Sequence, residues 1–166
     1  MRQLLGLDGH DLTGLPCPWC GRTPQPATSG LKAVRDGAVV GMVGWAAAGS
    51  LGGLYPTGSV VVTQLWVRRE DLGELIGSQL VQRAAGVVSG RRGVRCLVAP
   101  GTLGVPDCHH LPADWLEARG FAESVRGSQW RLDLGGAIRL PDALRWTAEA
   151  AVRLVRPERP APANRG

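Results

Sequence analysis

Two thiols at the spacing of a metal knuckle stand near the start of the chain: "CPWCG", residues 17–21, with Cys17 and Cys20 separated by a proline and a tryptophan. In such knuckles the flanking proline and glycine turn backbone amides toward a metal-bound sulfur. Two thiolates do not close a tetrahedral zinc site, which takes four ligands. "DCHH" at 107–110 supplies further candidates, so one mixed zinc site is Cys17, Cys20, Cys108 and His109. A redox disulfide is the second use of a C-x-x-C pair. Redox motifs of that kind open a helix after a strand, whereas Gly21, Pro24 and Pro26 deny a helix here. Plain buried thiols are the third reading, and it suits Cys96 best, inside the apolar run "VRCLVA". For His10 the sequence identifies no partner.

A second chemistry-bearing stretch is "LWVRREDLGELIGSQLV", residues 65–81, which begins as a strand and ends as a helix with Gly73 and Gly77 at the junction. A helix N-terminus leaves backbone amides unpaired and carries partial positive charge, so a glycine turn entering it suits phosphate oxygens. Arg68 and Arg69 add positive charge. Glu70, Asp71 and Glu74 suit the helix dipole but would repel a phosphate. Gly77 has a plainer use as well, which is to let a helix lie close to a sheet.

The elements that must position these groups follow from pattern. Residues 1–30 carry no strong period and are expected to form an irregular arm around the knuckle. "LKAVR", the turn dipeptide Asp36-Gly37 and "AVVGMVGW" predict a tight hairpin. "SVVVTQLWV" is β-branched and uncharged, as a central strand buried on both faces would be. From Glu74 to about Gly90 the spacing of Ile76, Leu80, Ala84, Val87 and Val88 predicts a helix, and "VRCLVA" a strand parallel to the one before it. "LPADWLEARGF" reads as a short helix with Pro112 in its first turn and Gly120 beyond its end. "FAESVRGSQWRLDL" reads as a second hairpin turning near Gly127-Ser128, and residues 141–156 as an amphipathic helix with a face fit for a homodimer. One domain therefore spans 31–156, followed by a proline-rich, disordered tail over 157–166.

Composition sets the outer bounds. The chain has 166 residues, 44% apolar and 20% charged, the balance of an ordinary globular protein. Its net charge of +5 comes from arginine, since Lys32 is the only lysine, and no nucleic-acid module accompanies that excess. A zinc-stabilised nucleic-acid binder is the weakest functional reading. Residues 37–67 hold no charge, yet Gly41, Gly44, Gly49, Gly52, Gly53, Pro56 and Gly58 break the stretch, so it reads as hairpin and loop rather than a membrane span. With Asp8 and Asp11 early and no apolar core, the N-terminus is neither a secretory signal nor a transit peptide, and a cytoplasmic protein is expected. Most of the six tryptophans are expected to be core mass, four of them inside core-building elements, with their indole nitrogens satisfied at its edges.

Hairpin, central strand, glycine turn, long helix, parallel strand, short helix ending in "GF" and closing hairpin together resemble the GNAT superfamily of acyl-CoA-dependent N-acetyltransferases, over about residues 31–134. The family's turn reads roughly Arg/Gln-Gly-x-Gly-Ile-Gly. "LGELIG" keeps Gly73, Ile76 and Gly77, while Leu72 and Leu75 depart from it. The resemblance implies an α/β fold, a central mixed sheet flanked by helices, whose splayed parallel strands form the coenzyme A groove. It implies acetyl transfer from acetyl-CoA to an unidentified amine. The amides of Gly73, Glu74, Leu75, Ile76 and Gly77 would cradle the pyrophosphate, flanked by Leu72 and Arg68, and the backbone of Leu65, Trp66 and Val67 would pair with the pantetheine arm. Many members carry a proton-donating tyrosine four residues before the glycine of "GF". That position is Leu116 here, and His109 and Pro112 stand where an asparagine and an alanine are frequent. Tyr55, the only tyrosine, lies in the loop before the central strand. Glu70 and Glu117 are the candidate bases. The alternative that these departures favour is a GNAT-like module that binds acyl-CoA or a protein partner without turnover, its arm stabilised by zinc.

Overall fold

The computed structural model describes residues 1–135, where the chain runs β1 (Arg2–Gly6), α1 (Gly9–Gly14), β2 (Ser29–Arg35), β3 (Ala38–Ala47), β4 (Ser59–Val67), α2 (Ile76–Ser89), β5 (Cys96–Thr102), β6 (Leu111–Pro112), α3 (Ala113–Glu117), β7 (Ala122–Val125) and β8 (Gln129–Asp133). The helix expected over 141–156, its dimer face and the tail lie outside the described residues. Asp36 and Gly37 take φ of 51° and 77°, the left-handed pair that closes a two-residue hairpin between β2 and β3. Every residue of β4 from Ser59 to Trp66 is buried, which requires both faces of the strand to be covered.

Helix α2 covers one face. Its Ile76, Leu80, Ala84 and Val88 pack with Val40, Val43, Leu65 and Leu97 in the largest apolar cluster. Gly41 permits the close approach, because a Cβ there would lie 3.0 Å from Ile76 Cγ2 and 3.1 Å from the Trp66 carbonyl oxygen. Val87, expected on the apolar stripe, is exposed; the helix turns that position outward beside Arg83 and Gly86. A separate cluster joins Met42 and Trp66 of the sheet to Cys17 and Cys108, with Leu7 and Leu15 of the N-terminal segment against it.

The strands run in the order β1-β2-β3-β4-β5-β8-β7, with β6 paired to β5. All neighbours are antiparallel except β4 with β5 and β5 with β6, so the sheet is mixed and the fold is α/β as the element order implies. The β4–β5 ladder holds only three pairs, Ser59↔Cys96, Val60↔Leu97 and Val61↔Val98. Beyond them the two strands part.

The N-terminal segment is not irregular. Residues Arg2 to Gly6 pair antiparallel with β2, from Arg2↔Arg35 to Gly6↔Leu31. Asp8 and Asp11 close a reciprocal capping box on α1. A half-exposed edge strand of five residues carries too little alternation to announce itself, and pairing with β2 supplies its order. Asp11 anchors the segment through Lys32, at 2.5 Å. Burial pushes the Asp11 carboxyl up, but the Lys32 ammonium and the Asp8 side of the cap outweigh it and leave it below the usual carboxylate value. The indole nitrogens of Trp45 and Trp66, expected to find partners, are buried without one among the described residues. No helix among the described residues is long and apolar enough to cross a membrane, and residues 37–67 form β3, β4 and the loop between them.

Gly101 lies where β5 leaves β4. A Cβ there would stand 2.4 Å from Trp130 Cε3 and 2.9 Å from Leu116 Cδ1, and both side chains are fully buried. Gly101→Ala is expected to destabilise the protein by about 1–3 kcal/mol, the usual cost of overpacking a core. A urea denaturation midpoint equal to that of the wild type would refute this packing.

Candidate functional site

The space opened between β4 and β5 is partly filled by residues 106–112. On one side β6 pairs with Gly101 and Thr102 of β5. On the other, the Leu65 N–H donates to the Cys108 carbonyl at 2.8 Å, and His109 Nδ1 lies 2.6 Å from the Thr63 carbonyl oxygen. What remains is a groove of about 500 Å³, the size of a small-molecule site. Leu65, Trp66 and Val67 form its floor, Trp19 and Trp115 are in its walls, and Leu72 and Gly77 bring the tip of α2 to it. Trp19 Nε1 donates to the Val67 carbonyl at 2.7 Å, so the knuckle is tied to the same strand edge.

At that tip Gly73 has φ of 86°, and Leu75, the N-cap, sits in the left-handed region at φ 60° and ψ 16°. No side chain caps α2, and the amides of residues 73–78 have no acceptor among the described residues. The three nearby acids do not fill the tip. Asp71 is buried and takes hydrogen bonds from Arg35 at 2.9 Å and Arg68 at 2.8 Å. Glu74 pairs with Arg35 and with Arg2 at 3.5 Å, and Glu70 with Arg68 at 3.4 Å. Arg2, Arg35 and Arg68 thus balance the three carboxylates, and the repulsion toward an anion that the sequence suggests is cancelled locally. Gly77 is where the helix end, the groove and α3 come together. It lines the groove, and a Cβ there would lie 3.3 Å from Trp115 Cζ2. Trp115 is itself held by Arg119, whose guanidinium stacks 3.7 Å from the ring centroid and donates to Ser78 Oγ at 2.8 Å.

Neither candidate base reaches the groove. Glu117 Oε1 accepts from Trp130 Nε1 at 3.1 Å, which gives this carboxylate a structural partner on the far side of α3, and Glu70 points into solvent beside Arg68. Leu116 is fully buried in the core, so the position expected to carry a proton donor faces inward as an apolar residue. The carboxylate that does line the groove is Asp107. Its Oδ1 accepts from the amides of His109 at 2.8 Å and His110 at 2.7 Å. Burial pushes the Asp107 carboxyl up, but those amides outweigh it and hold it below the usual value, as an anion committed to its own turn. An acid followed two and three residues later by amides it can accept from is a recognisable Asx-type turn, and "DCHH" carries that signal.

The knuckle and "DCHH" do meet. The sulfurs of Cys17, Cys20 and Cys108 all lie within 4.8 Å of one another, with Cys20 and Cys108 at 3.3 Å. The knuckle is closed by Gly21 N–H to the Cys17 carbonyl and Cys17 N–H to the Arg22 carbonyl, each 2.8 Å. His109 is not part of the cluster; its Nδ1 is spent on Thr63. Burial pushes the Cys17 thiol up and the Cys108 thiol up to about 12, while the Arg22 amide holds Cys20 below its ordinary value. Cys96 sits apart, buried with Val61 and Val98, as a core residue.

No protein-family model matches the chain, and no curated protein does. Solved structures do match. The ribosomal-protein-S18-alanine N-acetyltransferase from Escherichia coli aligns with a TM-score of 0.60 at 13% identity, over 85% of this chain and 99% of its own. A putative acetyltransferase of the GNAT family from Desulfovibrio desulfuricans aligns at 0.59 and 14%, over 81% of this chain and 100% of its own. The GNAT family N-acetyltransferase YhbS from Escherichia coli, in complex with CoA, aligns at 0.49 and 18% over 66% of this chain, which spans 60% of that protein's length. At such identities the first two likenesses establish the fold: this chain is folded as the GNAT N-acetyltransferases are.

Leu75 occupies the left-handed position that glycine favours, at an expected cost of about 1–2 kcal/mol. Leu75→Gly should therefore raise the melting temperature, and Leu75→Val should lower it, since a β-branched residue tolerates that region least. Equal melting of all three proteins would mean that the tip is not strained.

Proposed function

We propose that the chain binds an acyl-CoA in the groove and transfers its acetyl group to an amine. The observation that carries this reading is the early parting of β4 from β5 beside a helix tip with free amides and balanced charge. On it, the amides of Gly73 to Gly77 receive the pyrophosphate, with Leu72 and Arg68 at their flank, and the pantetheine arm lies along Leu65, Trp66 and Val67 toward Cys108. The amine nitrogen attacks the thioester carbonyl carbon, the C–S bond breaks, and the sulfur leaves with the electron pair. Rate would come chiefly from holding the two reactants in register. All four cysteines are free, which fits a reducing compartment, and we place the protein in the cytoplasm.

A second reading, binding without turnover, is favoured by two specific contacts. The Leu65 N–H, the natural donor to a thioester carbonyl on that strand edge, is already given to Cys108, and the Val67 carbonyl is already taken by Trp19. For a pantetheine to pair there, both contacts must exchange. The buried Leu116 adds to this by leaving the departing sulfur without a proton donor.

Titration with acetyl-CoA tests what the readings share. At one hundred times its dissociation constant the ligand is expected to add about 2.7 kcal/mol of stability, read as a raised melting temperature. Gly77→Glu should abolish the shift by placing bulk and negative charge at the tip; retained binding in that variant would move the site elsewhere. Release of free thiol across a panel of amines then separates transfer from mere binding.

A further inference from the structure

We propose that Cys17, Cys20 and Cys108 bind one zinc ion as thiolates, and that its fourth coordination position opens into the groove and accepts an exogenous thiolate. The assignment of that thiolate to coenzyme A rests on the function proposed above; the metal site does not.

Three observations converge on the metal. Zinc–sulfur bonds of about 2.3 Å place the sulfurs of a tetrahedral site about 3.8 Å apart, and the three sulfurs already lie within 4.8 Å of one another. N–H donors are aimed at them: the Trp19 amide reaches Cys17 Sγ at 3.4 Å, and Gln64 Nε2 reaches Cys108 Sγ at 3.3 Å. The Gln64 orientation is fixed, because the same nitrogen donates to the Arg22 carbonyl at 3.0 Å and a carbonyl can only accept. Cys108 sulfur is therefore the acceptor, a role that a metal-bound thiolate fills better than a neutral thiol. Several adjacent thiolates require a cation, and a soft sulfur set with tetrahedral spacing selects zinc.

The open position follows from what surrounds the cluster. Cys17 is buried behind it, while Cys20 and Cys108 line the groove. Among the described residues no fourth side chain closes the site, because His109 is bonded to Thr63 and Asp107 to its turn amides and Arg22. Three protein ligands with one open position is the pattern of exchangeable zinc rather than of closed structural sites. The carbonyl of Cys108 meets Leu65, two residues along β4 from Val67, which packs beside Gly77 at the α2 tip. A pantetheine arm running from that tip along β4 thus brings its sulfur to the metal. There the S–H bond of free CoA breaks, a zinc–sulfur bond forms and the proton passes to water. In transfer, the same position would take the thiolate that departs from the thioester, in place of the proton donor that Leu116 cannot be.

The full-length protein, purified without chelator, is expected to hold one zinc per chain. Replacement with cobalt should give the intense visible bands of a tetrahedral sulfur-rich site, lost in Cys17→Ala and Cys108→Ala and kept in His109→Ala. Chelation of the wild-type protein should abolish the bands reversibly, which guards against variants that fail to fold. Titration of the cobalt protein with CoA should shift the bands, whereas acetyl-CoA should not. Calorimetry run in parallel reports nucleotide binding by itself. CoA that binds without moving the bands would overturn the open position. If neither nucleotide binds, the functional reading fails; 2-mercaptoethanol shifting the bands would still uphold the thiolate position. A chain without metal that forms a Cys20–Cys108 disulfide under mild oxidation would overturn the site altogether.

Discussion

Everything in the site depends on where two parallel strands stop pairing. β4 and β5 share three residue pairs and then separate, so Thr63, Leu65 and Val67 carry peptide groups that no neighbouring strand satisfies. Unpaired backbone in a protein interior is costly and must find other partners. Here it finds the Cys108 carbonyl, the His109 imidazole and the Trp19 indole. Those contacts draw the 106–112 loop and the N-terminal knuckle to the same strand edge. The groove, the thiol cluster and the docking of the knuckle are thus consequences of one interrupted ladder.

The tip of α2 shows how a departure from a familiar pattern is accommodated. Leucine stands at position 75, where the left-handed backbone favours glycine, and the turn is held by the fold around it. Acids crowd the entrance, yet each is matched by an arginine, two of them from β1 and β2 at the far edge of the sheet. Arg2 and Arg35 reach the tip because β2, which carries β1 on its outer edge, packs against α2. The edge strand therefore has an electrostatic role at the groove in addition to its pairing.

Fold and site differed in how far residues alone revealed them. The β2–β3 hairpin, β4, α2, the parallel β5 and the closing hairpin were legible because their signals are local: a left-handed dipeptide, an uncharged β-branched run, a helical period. From Ser29 to Asp133 the elements therefore followed the expected order except at Leu111 and Pro112, which pair with β5 as β6 instead of opening the short helix, because the extended backbone before Pro112 suits a strand. β1 was not legible, since five half-exposed residues are ordered by pairing with β2. Nor were the fates of Glu70 and Glu117, whose side chains sequence shows only as carboxylates; Arg68 and Trp130 determine where they point.

The amino-acid sequence by itself determined the order of elements, the glycine turn into α2, an apolar leucine at position 116 and the presence of a thiol pair that wants further ligands. Only the tertiary structure decided that Cys108 and not His109 joins that pair, that Asp107 and not a glutamate lines the groove, and that the acids at the tip are neutralised. The physical reason is distance along the chain. Residues 17 and 108, or 35 and 71, interact through contacts that only a folded sheet creates, and no local propensity encodes them.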